Sequence, residues 1–505
     1  MARGVWSGSM VVCYIVFLYL FSVGYRADPD FDLDLSHYGT HFVISSALND
    51  YNTTLGEDDV IWILQILNPT TKTARLKIEV AGTVSKMAHV GALRAQNVHV
   101  SPLMRSEQVG LTQSLVVWST DAVSVTVINN GRSHEGLLAF PVSVFGTQYI
   151  VVTLPGNPVL QVLTSHDLTH VTIHFTDMSR DLEASDQHKF KVVYNGETYT
   201  PGSTLEVTIE SKYQVFQFHD CHAHHRLRSD FTGTLITSSL PVGVISGNCV
   251  TNSNPDDDHG SHLEEMLVPI SSWGYHFYIA TPSAGYPTQT RIRVVSLTFG
   301  VLRLHTGPGG LHTDPGGLED TQQVDGRTVA EELTLLYRAP TFWCQKILSG
   351  EVHAYLVSTV PIFVVMYWPD KVTGSKGHSG MIQLVPNENW LSWYYIRAPD
   401  LQNKNSFIYL SIVAMTTDVD GIRIGFNHLD STDENTVIKE LLSGFTFIAR
   451  LVSSGQGHVI QHLHQHTFAC YTRLVVKAGR VLYQQGMAFR NMTQVGGAHR
   501  WVGQR

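Results

Sequence analysis

Two short stretches concentrate the residues that can do chemistry. "HDCHAHHRLR" places His219, Cys221, His222, His224 and His225 close together, and "HVIQHLHQHTFAC" carries His462, His464 and His466 at every second residue. Neutral imidazoles and thiolates are zinc ligands, with Zn–N distances of about 2.0–2.1 Å. On a strand, alternate residues share a face about 6.6–6.8 Å apart. If the second stretch is a strand, His462, His464 and His466 point one way and form the stronger metal expectation. In the first stretch His222 and His224 share that spacing, while Cys221 is a ligand only outside a disulfide. The alternative for both is a polar strand or loop whose imidazoles bond water. "DPDFDLDL" (28–35) and "NSNPDDDHG" (252–260) offer oxygens for calcium, but the first lacks the glycine of an EF-hand loop and both read by default as solvated loops. "GHSG" (377–380) is one residue short of a nucleophile elbow, and neither H-E-x-x-H nor a phosphate-cradling P-loop occurs. No cofactor is expected other than zinc or calcium at these sites.

The bulk properties narrow the classes. The 505 residues include 34 basic and 43 acidic side chains, for a net charge of −9. No Lys/Arg block stands out, so a nucleic-acid partner has no electrostatic basis. The 26 histidines are unusual, and protonating all of them would reverse the sign of the net charge. Arg3, the apolar run Met10–Phe21 and the small residues Ser22–Gly24 have the layout of a secretory signal peptide over 1–24, leaving Tyr25 first in the mature chain. That run is short of the ~20 residues a spanning helix needs, and no second such run follows. A secreted, extracellular protein with no membrane span in its mature chain is expected. Cys13 falls in the signal; Cys221, Cys249, Cys344 and Cys470 remain, an even number that favours two disulfides with three pairings open. Sequons at Asn52 and Asn491 agree with export.

The periodicity is that of strands. "AVSVTVIN", "STLEVTIE", "YQVFQFHD", "TRIRVVSL" and "DGIRIGF" alternate apolar with polar or small residues, and "NNG", "YNG" and "PGST" mark turns. "DENTVIKELL" (433–442) is the best helix candidate, and it is short. The chain is all-β. A degenerate repeat runs through it: glycine followed by an aromatic strand at Gly39, Gly146 and Gly274, with "WLSWYYIRAP" at Trp390 as a fourth copy. A second unit is a Pro-initiated strand, "FPVSVFG", "LPVGVISG" and "VPIFVVMYW", preceded in the last two copies by another strand. The glycine units lie about 100–130 residues apart, which suits tandem antiparallel β-sandwich-like modules. These are expected to pack into one elongated region over 25–490, followed by a tail at 491–505. A propeller-like or continuous sheet stack is the alternative. The glycine-rich stretch 306–326 reads as a surface loop.

"DFTGTLITSSLPVGVISGNCV" (230–250) followed by "HLEEMLVPISSWGYHFYIATP" (262–282) resembles the N-terminal domain of the IgGFc-binding protein family. Asp230, Gly233, Pro241, Ser246, Gly247, His262, Glu265, Pro269, Trp273 and Gly274 occupy the family's pattern. "FWCQKILSGEVHAYLVSTVPIFVV" and "SGQGHVIQH" extend the resemblance over most of the mature chain. The family usually has a second cysteine shortly before the position of His262, where this chain has "DDDHGS". Set against that pattern, Cys221 is expected to pair with Cys249, stapling the hairpin between them, and Cys344 with Cys470. Family members commonly continue into cysteine-dense D modules; this sequence has none, so covalent polymerisation by that route is not expected.

The resemblance implies a non-enzymatic, extracellular binding protein. Its partners would be mucin-like, immune or microbial-surface glycoproteins, with immunoglobulin Fc implied by the family alone. Asp256, Asp257, Asp258 and His259 lie in a loop between the two best-matched blocks and are the candidate binding loop. The alternatives are a metal-dependent hydrolase built on the C-terminal histidine strand and a structural component of mucus or matrix.

Overall fold

A computed structural model describes residues 36–46, 61–80, 83–100, 109–130, 134–177, 190–221, 229–251, 261–280, 289–306, 329–338, 340–349, 353–368, 380–397, 407–425, 427–429, 433, 435–440, 444–452, 457–476 and 479–484. They are mainly strand, as the alternation predicts. In Thr204–Ile209 every second side chain is buried, the pattern of a sheet with one wet face. Pro158–Thr164 and Ser261–Met266 are buried at every position, which marks strands covered on both faces.

One topology runs four times. The first module holds β1 (Gly39–Ile44), β2 (Ile61–Asn68), β3 (Ala74–Val80), β4 (Thr83–Val90), β5 (Arg94–Val100), β6 (Gly110–Gln113), β7 (Leu115–Asn130) and β8 (His134–Ala139). The second holds β9 (Gly146–Ile150), β10 (Pro158–Thr164), β11 (Thr169–His174), the hairpin β12 (Val192–Tyr194) and β13 (Glu197–Tyr199), β14 (Thr204–Ile209), β15 (Gln214–His219), β16 (Leu235–Thr251) and β17 (Ser261–Met266). The third holds β18 (Gly274–Ala280), β19 (Gln289–Ser296), β20 (Val301–Thr306), β21 (Val329–Thr334), β22 (Leu336–Arg338), β23 (Thr341–Ser349), β24 (His353–Trp368) and β25 (Gly380–Gln383). The fourth holds β26 (Trp393–Arg397), β27 (Phe407–Met415), β28 (Ile422–Ile424), β29 (Asn427–His428), β30 (Thr436–Glu440), β31 (Phe445–Val452), β32 (Gly457–His462), β33 (Ala469–Val476) and β34 (Gly479–Gln484).

In each of the first three modules a long strand (β7, β16 or β24) crosses between two antiparallel sheets. Its first half pairs with the first and third strands of the module, as β16 does with β9 and β11. Its second half pairs with the second and last strands, as β16 does with β10 and β17. The crossing is a bulge, which bends the strand and leaves a ladder group without its partner. Paired hydroxyls tie it. The Ser119 and Ser238 hydroxyls donate to the carbonyls of Asp121 (2.6 Å) and Leu240 (2.7 Å), and Ser358 Oγ accepts from the Val360 amide (3.2 Å). The next hydroxyls, Thr120, Ser239 and Thr359, each accept at 3.0 Å from the amide of Arg75, His170 or Val301 at the edge of the third strand. This is the physical content of the "SSLP" and "STVP" repeats.

The glycine repeat also has a steric cause. Gly39, Gly146 and Gly274 lie against the rings of Pro141, Pro269 and Pro386, and a methyl group at any of them would overlap its proline. Each proline starts a 3-10 turn into the next module. Leu391 stands at the corresponding place of the fourth copy and bridges to Phe468.

The modules close into a ring. Their last strands touch in cyclic order: β8 with β17, β17 with β25, β25 with β34, and β34 back to β8. At the seam between the fourth and first modules, the Tyr395 amide donates to Tyr38 Oη (3.2 Å) and Tyr395 Oη to the Leu93 carbonyl (2.7 Å). The elongated arrangement is thus corrected in favour of the propeller-like one, with each blade a sandwich-sized module. Each later module docks on its predecessor near the start of the strand that pairs with its second strand (β15, β23 or β31). Tyr213, held at φ 64, accepts from the Ser114 amide (3.1 Å) and hydroxyl (2.7 Å) and sets its ring edge-on to Trp118. Thr341 Oγ1 donates to the Gly233 carbonyl at 2.8 Å, and Phe445 packs on Tyr278 and Tyr355. The first module also lends β6 to the edge of β15, completing the sheet of its neighbour.

The helix expected within 433–442 is a strand. Thr436–Glu440 pairs with β31, as its β-branched Thr436, Val437 and Ile438 favour. No helix among the described residues is long and apolar enough to cross a membrane.

Candidate functional site

The family-pattern residues around the second module are buried, apart from the half-buried Pro241, and several lie at its junctions with its neighbours. Asp230 Oδ2 pairs with the Arg293 guanidinium at 2.6 Å, with both side chains almost fully enclosed. The same guanidinium donates to Thr232 Oγ1 (2.6 Å), the Thr153 carbonyl and Gln345 Oε1 (2.9 Å). Asp230 Oδ1 accepts from Thr153 Oγ1 (2.8 Å) and the Thr232 amide (2.9 Å). Gly233 turns the chain at φ 86 beneath Thr341, where only glycine is unstrained. A methyl at Gly247 would collide with the Leu263 carbonyl. Ser246 Oγ donates to the Val152 carbonyl (3.0 Å), and Trp273 Nε1 to that of Val268 (3.4 Å).

The two glutamates of β17 look in opposite directions. Glu264 Oε1 accepts from Ser46 Oγ (2.6 Å) of the first module, and its other oxygen lies 3.5 Å from His262 Nε2. Glu265 faces the third module, where Gln383 Nε2 reaches both its carboxyl (3.5 Å) and the Met266 carbonyl (2.7 Å). Burial raises the Glu265 carboxyl well above the usual range, which favours its neutral form. These buried residues join the second module to its neighbours.

A disulfide lies buried at one end of the second module. Cys221 and Cys249 are joined, with Cα atoms 6.0 Å apart. The bond does not close a hairpin as expected: β10 runs between β15 and β16, and Val159 on β10 packs with both cysteines. Asn157, at φ 47, accepts from the Cys249 amide (2.9 Å) and donates to the Val250 carbonyl (2.9 Å). His219 is buried and accepts from the Cys221 amide (3.4 Å), so it is structural. The bond ties the roots of segments 222–228 and 252–260. His222, His224, His225 and the candidate loop Asp256, Asp257, Asp258 and His259 lie in these segments, outside the described residues. The expected signal peptide (1–24), Asn52, Asn491 and the acidic run 28–35 also lie outside the described residues. Replacing both cysteines with alanine is expected to lower stability by about 2–4 kcal/mol. Denaturant melts of the variant against the oxidised parent measure this; a difference below about 0.5 kcal/mol rules out the staple as a stabilising device.

The second expected bridge is not formed. Cys344 and Cys470 are free thiols in separate hydrophobic clusters of the third and fourth modules. Burial pushes the Cys344 thiol up to about 12 and the Cys470 thiol higher still, so neither is a reactive thiolate.

The histidine strand is also corrected. β32 ends at His462, and Leu463 and His464 form a turn, so His464 and His466 are not on the strand. The three rings still gather, with centroids 4.7–6.2 Å apart. However, His462 Nδ1 accepts from the amides of His464 (3.1 Å) and His466 (3.2 Å), and Nε2–H donates to the Asp418 carbonyl (2.8 Å). Its lone pair is already in use within the protein. No group of three His, Cys, Asp or Glu side chains placed to hold a metal ion occurs among the described residues.

Some junction residues escape a sequence reading. Arg291 and Arg293 alternate with Ile292 and Val294, which reads as a wet strand face, yet Arg293 is buried. The signal that could have found it is the buried partner Asp230, already prominent in the family pattern.

The described residues thus form a closed ring of all-β modules, with a disulfide joining β15 and β16 at one end of the second. The chain belongs to the IgGFc-binding protein family: the family model described as IgGFc binding protein matches residues 135–472. The human (Homo sapiens) IgGFc-binding protein is 25% identical over 255 residues, covering 49% of this chain and 4% of that protein. The match thus spans a small fraction of that relative. The family is one of binding proteins.

Proposed function

We propose that this chain is a secreted binding protein that recognises extracellular glycoproteins through loops on the β ring, and that immunoglobulin Fc is among its ligands. The observation that carries this reading is the Cys221–Cys249 bond, placed where residues 222–228 and 252–260 leave the described strands within the family match. A staple there holds both roots on a rigid scaffold, which lowers the ordering cost of binding. Mucin-like and microbial-surface glycoproteins are the other candidates within the class. The name of the human relative supports Fc.

The test is surface plasmon resonance of the mature, oxidised chain against purified IgG Fc and a purified mucin glycoprotein. Saturable Fc binding is expected, weakened about tenfold (about 1.4 kcal/mol) in the D256N/D257N/D258N variant. Absence of saturable binding to both ligands overturns the proposal; unchanged Fc affinity in the variant removes the acidic loop from it.

A further inference from the structure

The fourth module departs from the other three where its long strand crosses between sheets. In the first three, serine hydroxyls at 119, 238 and 358 tie the bulge. In the fourth the strand is interrupted between β32 and β33, and His462 takes the place of the serine. Its Nδ1 is the acceptor for two backbone amides, those of His464 and His466. Its Nε2–H bonds the Asp418 carbonyl in the 3-10 segment Thr416–Gly421. These partners assign the neutral, Nε2–H tautomer. The ring fills the space above Gly421, where any side chain would collide with it. Gln465 sits at φ 59 in the turn, which side chains rarely adopt, so the imidazole holds the backbone in a form it would not choose alone.

A hydroxyl can accept at any physiological pH, whereas an imidazole accepts only while neutral. Protonation at Nδ1 would set an N–H against two N–H donors, and the turn must open. We propose that His462 makes this crossing an acid-sensitive hinge, the one strand crossing among the four whose tie titrates.

The charged and titratable groups facing the ring are Asp418 from the 3-10 segment and His464 and His466 from the turn. Asp418 Oδ1 lies 2.9 Å from His466 Nδ1. Desolvation is the largest influence on His462 and lowers its pKa below the ordinary 6.5, with the neighbouring histidines adding to it and Asp418 opposing it. The folded state therefore prefers the neutral ring. The contribution of the turn is complete above the ordinary imidazole range and is lost as pH falls through that range towards the lowered folded value.

The position gives the hinge its reach. β32 pairs with β26, whose Tyr395 meets Tyr38 and the Leu93 carbonyl of the first module. β33 pairs with β34, which packs on β8. The crossing thus joins both contacts that close the ring.

Hydrogen exchange of the mature chain at about pH 7.5 and about pH 5.5, corrected for intrinsic rates, tests the proposal. Protection of the His464 and His466 amides is expected to fall about tenfold or more at the lower pH. The crossings at Ser119, Ser238 and Ser358 should keep theirs. In His462→Ser the turn should keep its protection at both values. Equal protection of the parent at both pH values overturns the proposal, as does the same acid loss in His462→Ser. Should that variant fail to fold, carbon NMR of labelled histidine in the parent decides. The His462 ring must titrate in step with the lost protection, and a ring that stays neutral while protection disappears overturns the hinge.

Discussion

Replacing Asp230 with alanine is expected to destabilise the folded chain by about 3–5 kcal/mol, the range for removing one partner of a buried ion pair. The size follows from what remains. The Arg293 guanidinium is sealed between the second and third modules, with Thr232, the Thr153 carbonyl and Gln345 as its other acceptors. Those groups are neutral and cannot replace the carboxylate. Trp343 lies over the guanidinium at 5.1 Å from its ring centroid and offers only a weak attraction in addition. Removing both charges should cost far less. Apolar replacement of a whole buried pair is often neutral or stabilising, so Asp230→Leu with Arg293→Met should recover most of the loss. Urea melts of the two variants and the parent measure both. A loss under about 1 kcal/mol in the single variant shows that the pair does not clamp the junction.

The second large effect concerns where the domain ends. The family match begins at residue 135, inside β8, and stops at residue 472, inside β33. A polypeptide of residues 135–472 is expected to lack a cooperative unfolding transition. It loses β7, the only pairing partner of β8 among the described residues. It loses β6, which covers the edge of β15, and Ser46 and Asn129, which meet Glu264 and His262. It also loses β34, half of the ring closure. Extension to residues 36–484 should restore a single transition. Calorimetry and limited proteolysis of the two lengths are the check. A cooperative transition in 135–472 within a few degrees of the longer form shows that the ring is not the folding unit.

The sequence carries the local fold well and the global arrangement poorly, for identifiable reasons. Strands are legible because their sheets bury one face, as in the strict alternation of Thr204–Ile209. The glycine repeat is legible, but the proline repeat is only partly so: Pro241 and Pro361 lie in β16 and β24, whereas "FPVSVFG" is a 3-10 turn whose Pro141, like Pro269 and Pro386, packs on a repeat glycine. The Cys221–Cys249 pairing, reached through the family resemblance, is the one formed. The ring is not legible. A strand such as Pro158–Thr164 announces that both its faces are covered and says nothing about by what. Alternation also misplaces His464 and His466, because the strand breaks at the residue whose imidazole stabilises the break. Cys344 and Cys470 illustrate the limit of counting thiols: an even number permits two bonds, but burial in separate cores prevents the second.

The lent strand β6 sets a timetable for synthesis. Its partner β15 lies about a hundred residues downstream, since Gln113 pairs with Gln214. At translation rates of about 5–20 residues per second, β6 waits roughly 5–20 s for the strand it completes. Until then it is an open β-edge on a nascent chain, the kind of surface that pairs with wrong partners. The waiting interval, rather than any weakness of the finished ring, is where this chain most depends on a chaperone, and slowing the ribosome between residues 114 and 213 should lower the yield of folded protein.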